Sequence, residues 1–353
     1  MAVPNLAAVL PSAATNLTIQ QRSIPTPSPD EVLIRNHAIG LNPIDWKRQL
    51  IGLYIASYPT VLGSDVCGVV VKTGSSVPVS DFKPGDRVIG SANSFSGNPD
   101  HAAFQTYTLV KAASAARLPD ALSFNQGATV PTAFATATVA LFDILNLPLP
   151  SSSSAPPPST GKTGILVWGG ATQAGSALIQ LLRLTMPNLT VFATASLGHH
   201  DRLRGLGADH VANYRSATVV DDILTATDKA GVRIEYAIDT VSTPETLSSV
   251  VKVLGRFEGG KRMLGHLLPW PEDDKVVVPE GVEYTMVRGN DMWTRRRDLS
   301  EWLFRERLTG WLEREEIVPG KYRVVEGGLE GLQAGLDELK RGAVNGERLV
   351  VEV

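Results

Sequence analysis

Two short stretches carry residue types able to do chemistry. The first is Gly169-Gly170-Ala171-Thr172-Gln173-Ala174-Gly175. It follows an apolar run with β character, Ile165-Leu166-Val167-Trp168. It precedes Ala177, Leu178, Leu181 and Leu182, which recur at helical spacing. A strand, a tight glycine turn and a helix N-terminus together present free N–H groups and a partial positive charge to a phosphate. The expectation is a cradle for the pyrophosphate of a dinucleotide. The alternative is the same turn without a ligand, and Thr172 interrupts the usual glycine spacing. About 20 residues further on, an NAD site places an Asp or Glu on the ribose hydroxyls. Here Ser196 stands at that point, with His199, His200 and Arg202 close behind. A hydroxyl with such neighbours accepts a 2′-phosphate that a carboxylate would repel, so NADP is expected over NAD. His200 reads better as a residue of a solvated loop.

The second stretch is Leu41-Asn42-Pro43-Ile44-Asp45-Trp46-Lys47. An Asn-Pro turn here brings an acid and a base close together. On residue types alone, Asp45 as a cap for a short helix outranks a catalytic role.

The elements that must position these residues fall into two styles. Residues 1–125 are expected to be β-rich, with strands at 31–35 and 68–71 and frequent Gly and Pro turns, as in a barrel or sandwich. A helix is expected at 126–145. After the glycine turn, strands at 190–195, 234–239 and 262–264 alternate with helices at 201–206 and 244–254, the pattern of a parallel sheet covered on both faces. Further strands are expected at 275–278 and 284–287, helices at 299–315 and 329–341, and a last strand at 348–353. Between the two styles lies a Pro- and Ser-rich tract, 148–158, expected to be an exposed loop. It ends in Ser159-Thr160-Gly161-Lys162-Thr163. This is not a nucleotide-triphosphate loop, because Pro156 occupies the first glycine position and a strand follows it.

Composition narrows the function classes. The 353 residues are 43% hydrophobic and 20% charged, with a net charge of −3, which gives no reason to expect nucleic acid or an anionic membrane as partner. The single cysteine, Cys67, excludes an intrachain disulfide and a multi-cysteine zinc site, and its apolar neighbourhood reads as a buried small hydrophobe. The N-terminus lacks the pattern of a signal peptide, and no window is expected to approach a membrane span, so a cytoplasmic protein is expected.

Taken in order, several pieces resemble the medium-chain dehydrogenase/reductase superfamily over nearly the whole chain. They are Asn42-Pro43-Ile44-Asp45-Trp46-Lys47, Leu62-Gly63-Ser64-Asp65-Val66-Cys67-Gly68, Phe82-Lys83-Pro84-Gly85-Asp86-Arg87-Val88, the 169–175 turn, Leu206-Gly207-Ala208-Asp209-His210-Val211, and the tail Gly327-Gly328-Leu329 with Asn345-Gly346-Glu347-Arg348-Leu349-Val350. Within the superfamily the chain is similar to the zinc-free quinone reductase and enoyl reductase branch, fungal trans-acting enoyl reductases included. The resemblance implies a GroES-like β-barrel catalytic domain at 1–125, completed by 290–353, and a Rossmann doubly wound parallel sheet at 126–289, with the active site in the cleft between them. It implies that Asp45, Trp46 and Lys47 face the nicotinamide side, and that Ala171, Thr172, Gln173, Ala174 and Gly175 line the pyrophosphate. Ser196 and His199 would hold the 2′-phosphate region and Tyr214 the adenosine end. Leu264 and Val350 would touch the cofactor through backbone or apolar atoms. Zinc-dependent relatives carry Cys and Gly-His-Glu where this chain has Asn42 and Gly63-Ser64-Asp65, so no metal is expected.

The expected reaction is NADPH-dependent reduction of a C=C bond conjugated to a carbonyl, or of a quinone. Such a site must align the hydride donor with the electrophilic carbon and stabilise charge developing on the carbonyl oxygen. Lys47 is the first candidate donor and Thr132 the second, with a helix N-cap as the other reading of Thr132; Tyr54 or solvent is the proton source. The alternatives are a zinc-free carbonyl reductase and a low-turnover NADPH-binding partner or sensor. The expected substrate is a small or carrier-tethered unsaturated carbonyl compound. A polyketide synthase is a candidate partner, and the chain is expected to be a monomer or homodimer. The run at 292–297, with Trp293 and three arginines, reads first as a solvated helix face and second as a substrate or partner contact.

Overall fold

The structure is a computed structural model that describes residues 3–150, 163–257, 259–271 and 276–353. Most of the Pro/Ser tract, the Ser159–Lys162 part of the loop that follows it, and Lys275 lie outside the described residues. The chain divides into two compact units, Met1–Ala135 with Met292–Val353, and Thr136–Asp291. The division falls inside the helix Pro131–Val139, ten residues beyond the change of style read from the sequence.

The first unit is β-rich. Its larger sheet runs in the order Tyr322–Val325, Arg348–Glu352, Glu31–Gly40, Asp65–Thr73, Arg87–Ser91, Ala115–Arg117, with Tyr107–Lys111 also paired to Glu31–Gly40. Apart from the parallel first pair, its pairs are antiparallel. A three-stranded sheet, Thr18–Arg22, Asn5–Leu10 and Thr60–Val61, completes the strands. Both pack on one core that includes Val9, Ile34, Leu62, Val66, Phe104 and Leu349. The C-terminal strand therefore returns to the N-terminal strands, with Val350 opposite Gly40. Cys67 is fully buried in its strand, and burial pushes its thiol pKa up, so it is an unreactive small hydrophobe.

The second unit is a six-stranded parallel sheet in the order His210–Asn213, Thr190–Ala195, Thr163–Trp168, Arg233–Asp239, Arg262–His266, Val282–Met286. The strand Thr163–Trp168 is largely apolar and buried, as expected where helices cover both faces of a parallel sheet. Leu166, Phe192, Ile234, Leu247, Val250, Leu254 and Leu264 form that core. The strand order reverses between Thr163–Trp168 and Arg233–Asp239, and the carboxyl ends there are where open parallel sheets bind ligands. The strand expected at 275–278 does not form over Val276–Val278; the edge strand begins at Val282 instead.

Two long helices expected from periodicity are composites. The region 126–145 comprises Phe124–Gly127, Pro131–Val139 and a π-helical stretch, Ala140–Ile144. The region 299–315 comprises Arg297–Ser300, a π-helical stretch and Leu308–Glu313. Contrary to the expectation of no membrane-length window, Phe124–Ile144 is long and apolar enough by composition. However, 83% of that window is buried inside the protein, as in a core helix.

Candidate active site

Each unit holds one group of candidate residues. In the first, the helix Pro43–Ile51 presents Asp45, Trp46 and Lys47. The cap is Asn42, with Pro43 at the first helical position and Asp45 at the third. The Asn42 N–H donates to Asp45 Oδ2 at 2.8 Å, a capping box in which the carboxylate satisfies a backbone donor. Asp45 is 0% exposed, and burial raises its pKa to about 7. This fully buried carboxylate, bound to its own helix cap, positions the start of the helix. Trp46 packs against the core of the unit, and both it and Lys47 are half-buried. Lys47 Nζ lies 5.6 Å from the centroid of the Trp46 ring, and burial lowers its pKa. Among the described residues, its ammonium has no anionic partner.

Thr132 lies one residue inside the helix Pro131–Val139 and is not its cap. Its N–H and its hydroxyl both donate to Asp65 Oδ1, at 2.7 and 2.5 Å. In this structure its hydroxyl hydrogen is given to Asp65. Asp65 Oδ2 accepts from Asn42 Nδ2 at 3.1 Å and from Arg348 Nη1 at 2.6 Å. Arg348 also donates to the side chain of Asn42 and the carbonyl of Leu41. Asp65 and Arg348 are 0% and 4% exposed. Beside them, Ser64 shares a hydrogen bond with Ser94, which accepts from the buried Arg48 at 2.8 Å. At the positions where zinc-dependent relatives carry ligands, these side chains are spent on one another. The chemistry of the set does not fit a metal, because all four hydrogen bonds to Asp65 come from protein donors.

Tyr54 follows the helix in a left-handed conformation, φ +56°, and is 48% exposed. Its ring is 6.0 Å from that of Phe95, which stacks on Trp293 at 5.9 Å and on the Arg48 guanidinium at 4.3 Å. Sequence reasoning missed Phe95 and underrated Trp293. Met292 is buried and Trp293 half-buried, so only Thr294, Arg295 and Arg297 of that run form an exposed face. Val350 is 0% exposed in a strand paired on both sides.

In the second unit, Gly169 takes φ +80°, and a Cβ there would lie 2.6 Å from Thr240 Oγ1. Thr172 caps the helix Gln173–Thr185 by accepting the Gly175 N–H at 2.9 Å, while its hydroxyl donates to Thr240. Gly175 is buried, and a Cβ there would lie 2.3 Å from Gly169 O. Thr172 thus uses its hydroxyl as the cap of the helix, and Gly175 allows close packing of helix on strand. Ala171, Gln173 and Ala174 remain half-exposed at the helix start. Leu264 is 1% exposed and belongs to the core of this unit.

At the next carboxyl end, Ser196 follows Thr190–Ala195 with no side-chain capping bond, and His199 closes the short turn after it. His200 Nε2 donates to Ala195 O, 3.2 Å away, so it staples the turn and is not a solvated loop residue. Ala195 pairs in register with Asn213, which sets Tyr214 beside Ser196. The Tyr214 hydroxyl accepts from Arg215 Nε at 3.2 Å, and the Arg215 guanidinium lies 5.4 Å from its ring. Arg215 was missed. Its signal was the strand 210–213, whose parallel pairing brings the following residue to the same sheet end as Ser196. Ser196, Tyr214 and Arg215 thus lie at the carboxyl ends of two paired strands, next to the turn that His199 closes. The residues present fit a dinucleotide phosphate.

The Alcohol dehydrogenase GroES-like domain family model matches residues 28–120. The chain is 36% identical to the trans-enoyl reductase tndF of Aspergillus flavipes over 99% of each chain. It is 31% identical to the enoyl reductase component lovC of lovastatin nonaketide synthase from Aspergillus terreus, over 92% of this chain and 89% of the relative. Among solved structures, the CurK enoyl reductase aligns with a TM-score of 0.75 and 21% identity over 99% of both chains.

Proposed function

Since the chain belongs to the medium-chain dehydrogenase/reductase superfamily, in its enoyl reductase branch, we propose that this oxidoreductase reduces a C=C bond conjugated to a carbonyl, using NADPH and no metal. The observation that carries the reading is Lys47: a half-buried ammonium with no anionic partner among the described residues, on a helix locked at its start by Asn42 and Asp45. Such a group is placed to donate to the oxygen of a bound enoyl carbonyl and to stabilise the negative charge that develops there. Partial desolvation strengthens that donation, because water competes less for the ammonium. Asp65, filled by Thr132, Asn42 and Arg348, keeps the helix start in place and supports metal-free chemistry.

NADPH would supply the hydride when bound. The half-exposed turn Ala171, Gln173 and Ala174 would face its pyrophosphate, and Ser196, His199 and Arg215 its 2′-phosphate, with Tyr214 at the adenosine end. Tyr54, exposed beside Phe95, remains the candidate for returning a proton to the substrate carbon. Likeness to the enoyl reductase component of lovastatin nonaketide synthase supports a carrier-tethered thioester substrate and a polyketide synthase partner. The test is NADPH oxidation by the purified protein with an enoyl thioester, a quinone and a saturated ketone. Turnover of the thioester above the others is expected. Turnover of the saturated ketone alone would make the protein a carbonyl reductase, and tight NADPH binding without turnover would make it a sensor.

A further inference from the structure

An acid, a base and a hydroxyl of the first unit are joined in a hydrogen-bonded relay that the proposed reduction does not use. Glu31 opens the strand Glu31–Gly40 and is 2% exposed. His101 ends the short helical turn Pro99–His101, and Ser96 lies in the exposed loop before it. His101 Nε2 is 2.9 Å from Glu31 Oε1, and His101 Nδ1 is 3.1 Å from Ser96 Oγ. A carboxylate only accepts, so Nε2 carries the proton. In the neutral ring Nδ1 then offers a lone pair, and the Ser96 hydroxyl donates to it. Glu31 stays ionised to hold this tautomer. Burial alone would raise its pKa, but the Ser28 N–H at 2.9 Å, the Lys111 ammonium at 3.2 Å and His101 hold it below the usual carboxylate range.

A nucleophile, a base within reach of it and a buried acid that orients the base are the parts of an acyl-transfer site. Ser96 Oγ accepts the Asn98 N–H at 3.1 Å, which leaves one lone pair for attack. The next residue, Gly97, takes φ +81°, and a Cβ built on it would meet nothing within 4 Å. Among the described residues its N–H has no acceptor. A free N–H on the residue after the nucleophile is a donor for the oxyanion of a tetrahedral intermediate. We propose that Ser96 as nucleophile, His101 as base and Glu31 as the residue that positions His101 make this protein an esterase for small activated esters. Ser96 Oγ bonds to the acyl carbon while its proton passes to His101 Nδ1. The ester C–O bond breaks, and the proton leaves with the alcohol. Water, deprotonated by the same nitrogen, then adds to the acyl-serine and releases the carboxylic acid. The exposed loop 96–98 gives a long acyl group no enclosure and a poor leaving group no help. The substrate it fits is a short acyl group on an aryl oxide.

The experiment treats the purified full chain with an alkyl fluorophosphonate and follows p-nitrophenyl acetate hydrolysis by absorbance, both without NADPH. One label per chain is expected, mapped to Ser96 by mass spectrometry, with hydrolysis lost in step with labelling. Ser96→Ala, a change on an exposed loop, is expected to abolish the label and to lower kcat/KM for the ester by about 100-fold or more. His101→Gln is expected to lower the rate as much, the usual size of a general-base contribution. Glu31→Gln is expected to slow hydrolysis and to move the acid limb of its pH–rate profile to lower pH, because the imidazolium loses the carboxylate that stabilises it. A merely structural role for Glu31 would lower the rate and leave the limb in place. NADPH oxidation with an enoyl thioester is expected to be unchanged in Ser96→Ala, so the reductase and the esterase are read independently. A label that is absent or falls elsewhere, or ester hydrolysis that survives Ser96→Ala, overturns the proposal. An acid limb that does not move in Glu31→Gln overturns the part given to Glu31.

Discussion

Asp65→Asn tests the network beneath the Lys47 helix. In the wild-type protein Asp65 is fully buried and takes four hydrogen bonds: two from Thr132 on Oδ1, and one each from Asn42 and Arg348 on Oδ2. An amide has a single acceptor oxygen. If that oxygen faces Thr132, the amide NH2 meets Arg348 donor to donor; if it faces Arg348, the NH2 meets both Thr132 donors. Either way Arg348, 4% exposed, loses its counter-charge. Removing one partner of a buried pair costs about 3–5 kcal/mol. For a unit of 150–250 residues, each kcal/mol moves Tm by about 2–4 °C, so a fall of roughly 10 °C is expected. Arg348→Met leaves the carboxylate unpaired and is expected to cost a similar amount. The Asp65→Asn/Arg348→Met double variant is expected to cost less than the sum, with a coupling of at least about 2 kcal/mol. Urea unfolding followed by circular dichroism measures all four proteins. An Asp65→Asn midpoint within about 1 kcal/mol of wild type, or strict additivity, would refute the argument that these side chains form one mutually dependent buried unit.

Three further outcomes follow from the geometry. Lys47→Met should lower kcat/KM for an enoyl thioester by about 10²–10³, the usual loss of one charge-stabilising donor, with an unchanged circular dichroism spectrum; steady-state kinetics decide it. Because Asp45 has a folded pKa of about 7, above its unfolded value, the native state holds a proton that the unfolded chain has released, so stability should decline as pH rises from about 4 to about 7 and then level off. Asp45→Asn, which keeps an acceptor for the Asn42 N–H, should flatten that decline in urea titrations run across the range. Arg215→Ala should weaken NADPH binding by about tenfold or more with little effect on NADH, read by fluorescence titration; equal losses for both cofactors would remove Arg215 from the 2′-phosphate.

Local pattern made the second unit readable. Its apolar strands, its capped helices and the turn at 169–175 are each encoded within about a dozen neighbouring residues, and a strand end followed by a glycine turn is the same object in sequence and in space. The helix at 43–51 was likewise visible in Asn42-Pro43 and Asp45, although the cap fell on Asn42 and the acid three places in. The composite helices were not visible, since a π-helical stretch changes the spacing by one residue per turn without changing composition.

What the sequence by itself determined was which residue types are available: a lysine at 47 beside an acid at 45, a serine in place of an acid at 196, and an asparagine and a serine at 42 and 64. Tertiary structure alone decided which of them have functional groups left to use. Thr132 gives its hydroxyl to Asp65, 67 positions away, and Asp65 meets Arg348 from the far end of the chain. Val350 and Leu264 vanish into sheets, and Tyr54, Phe95 and Trp293 come into ring contact. The reason is physical: a hydrogen bond or a ring contact depends on distance in space, and periodicity in the chain encodes only which face of its own element a residue occupies.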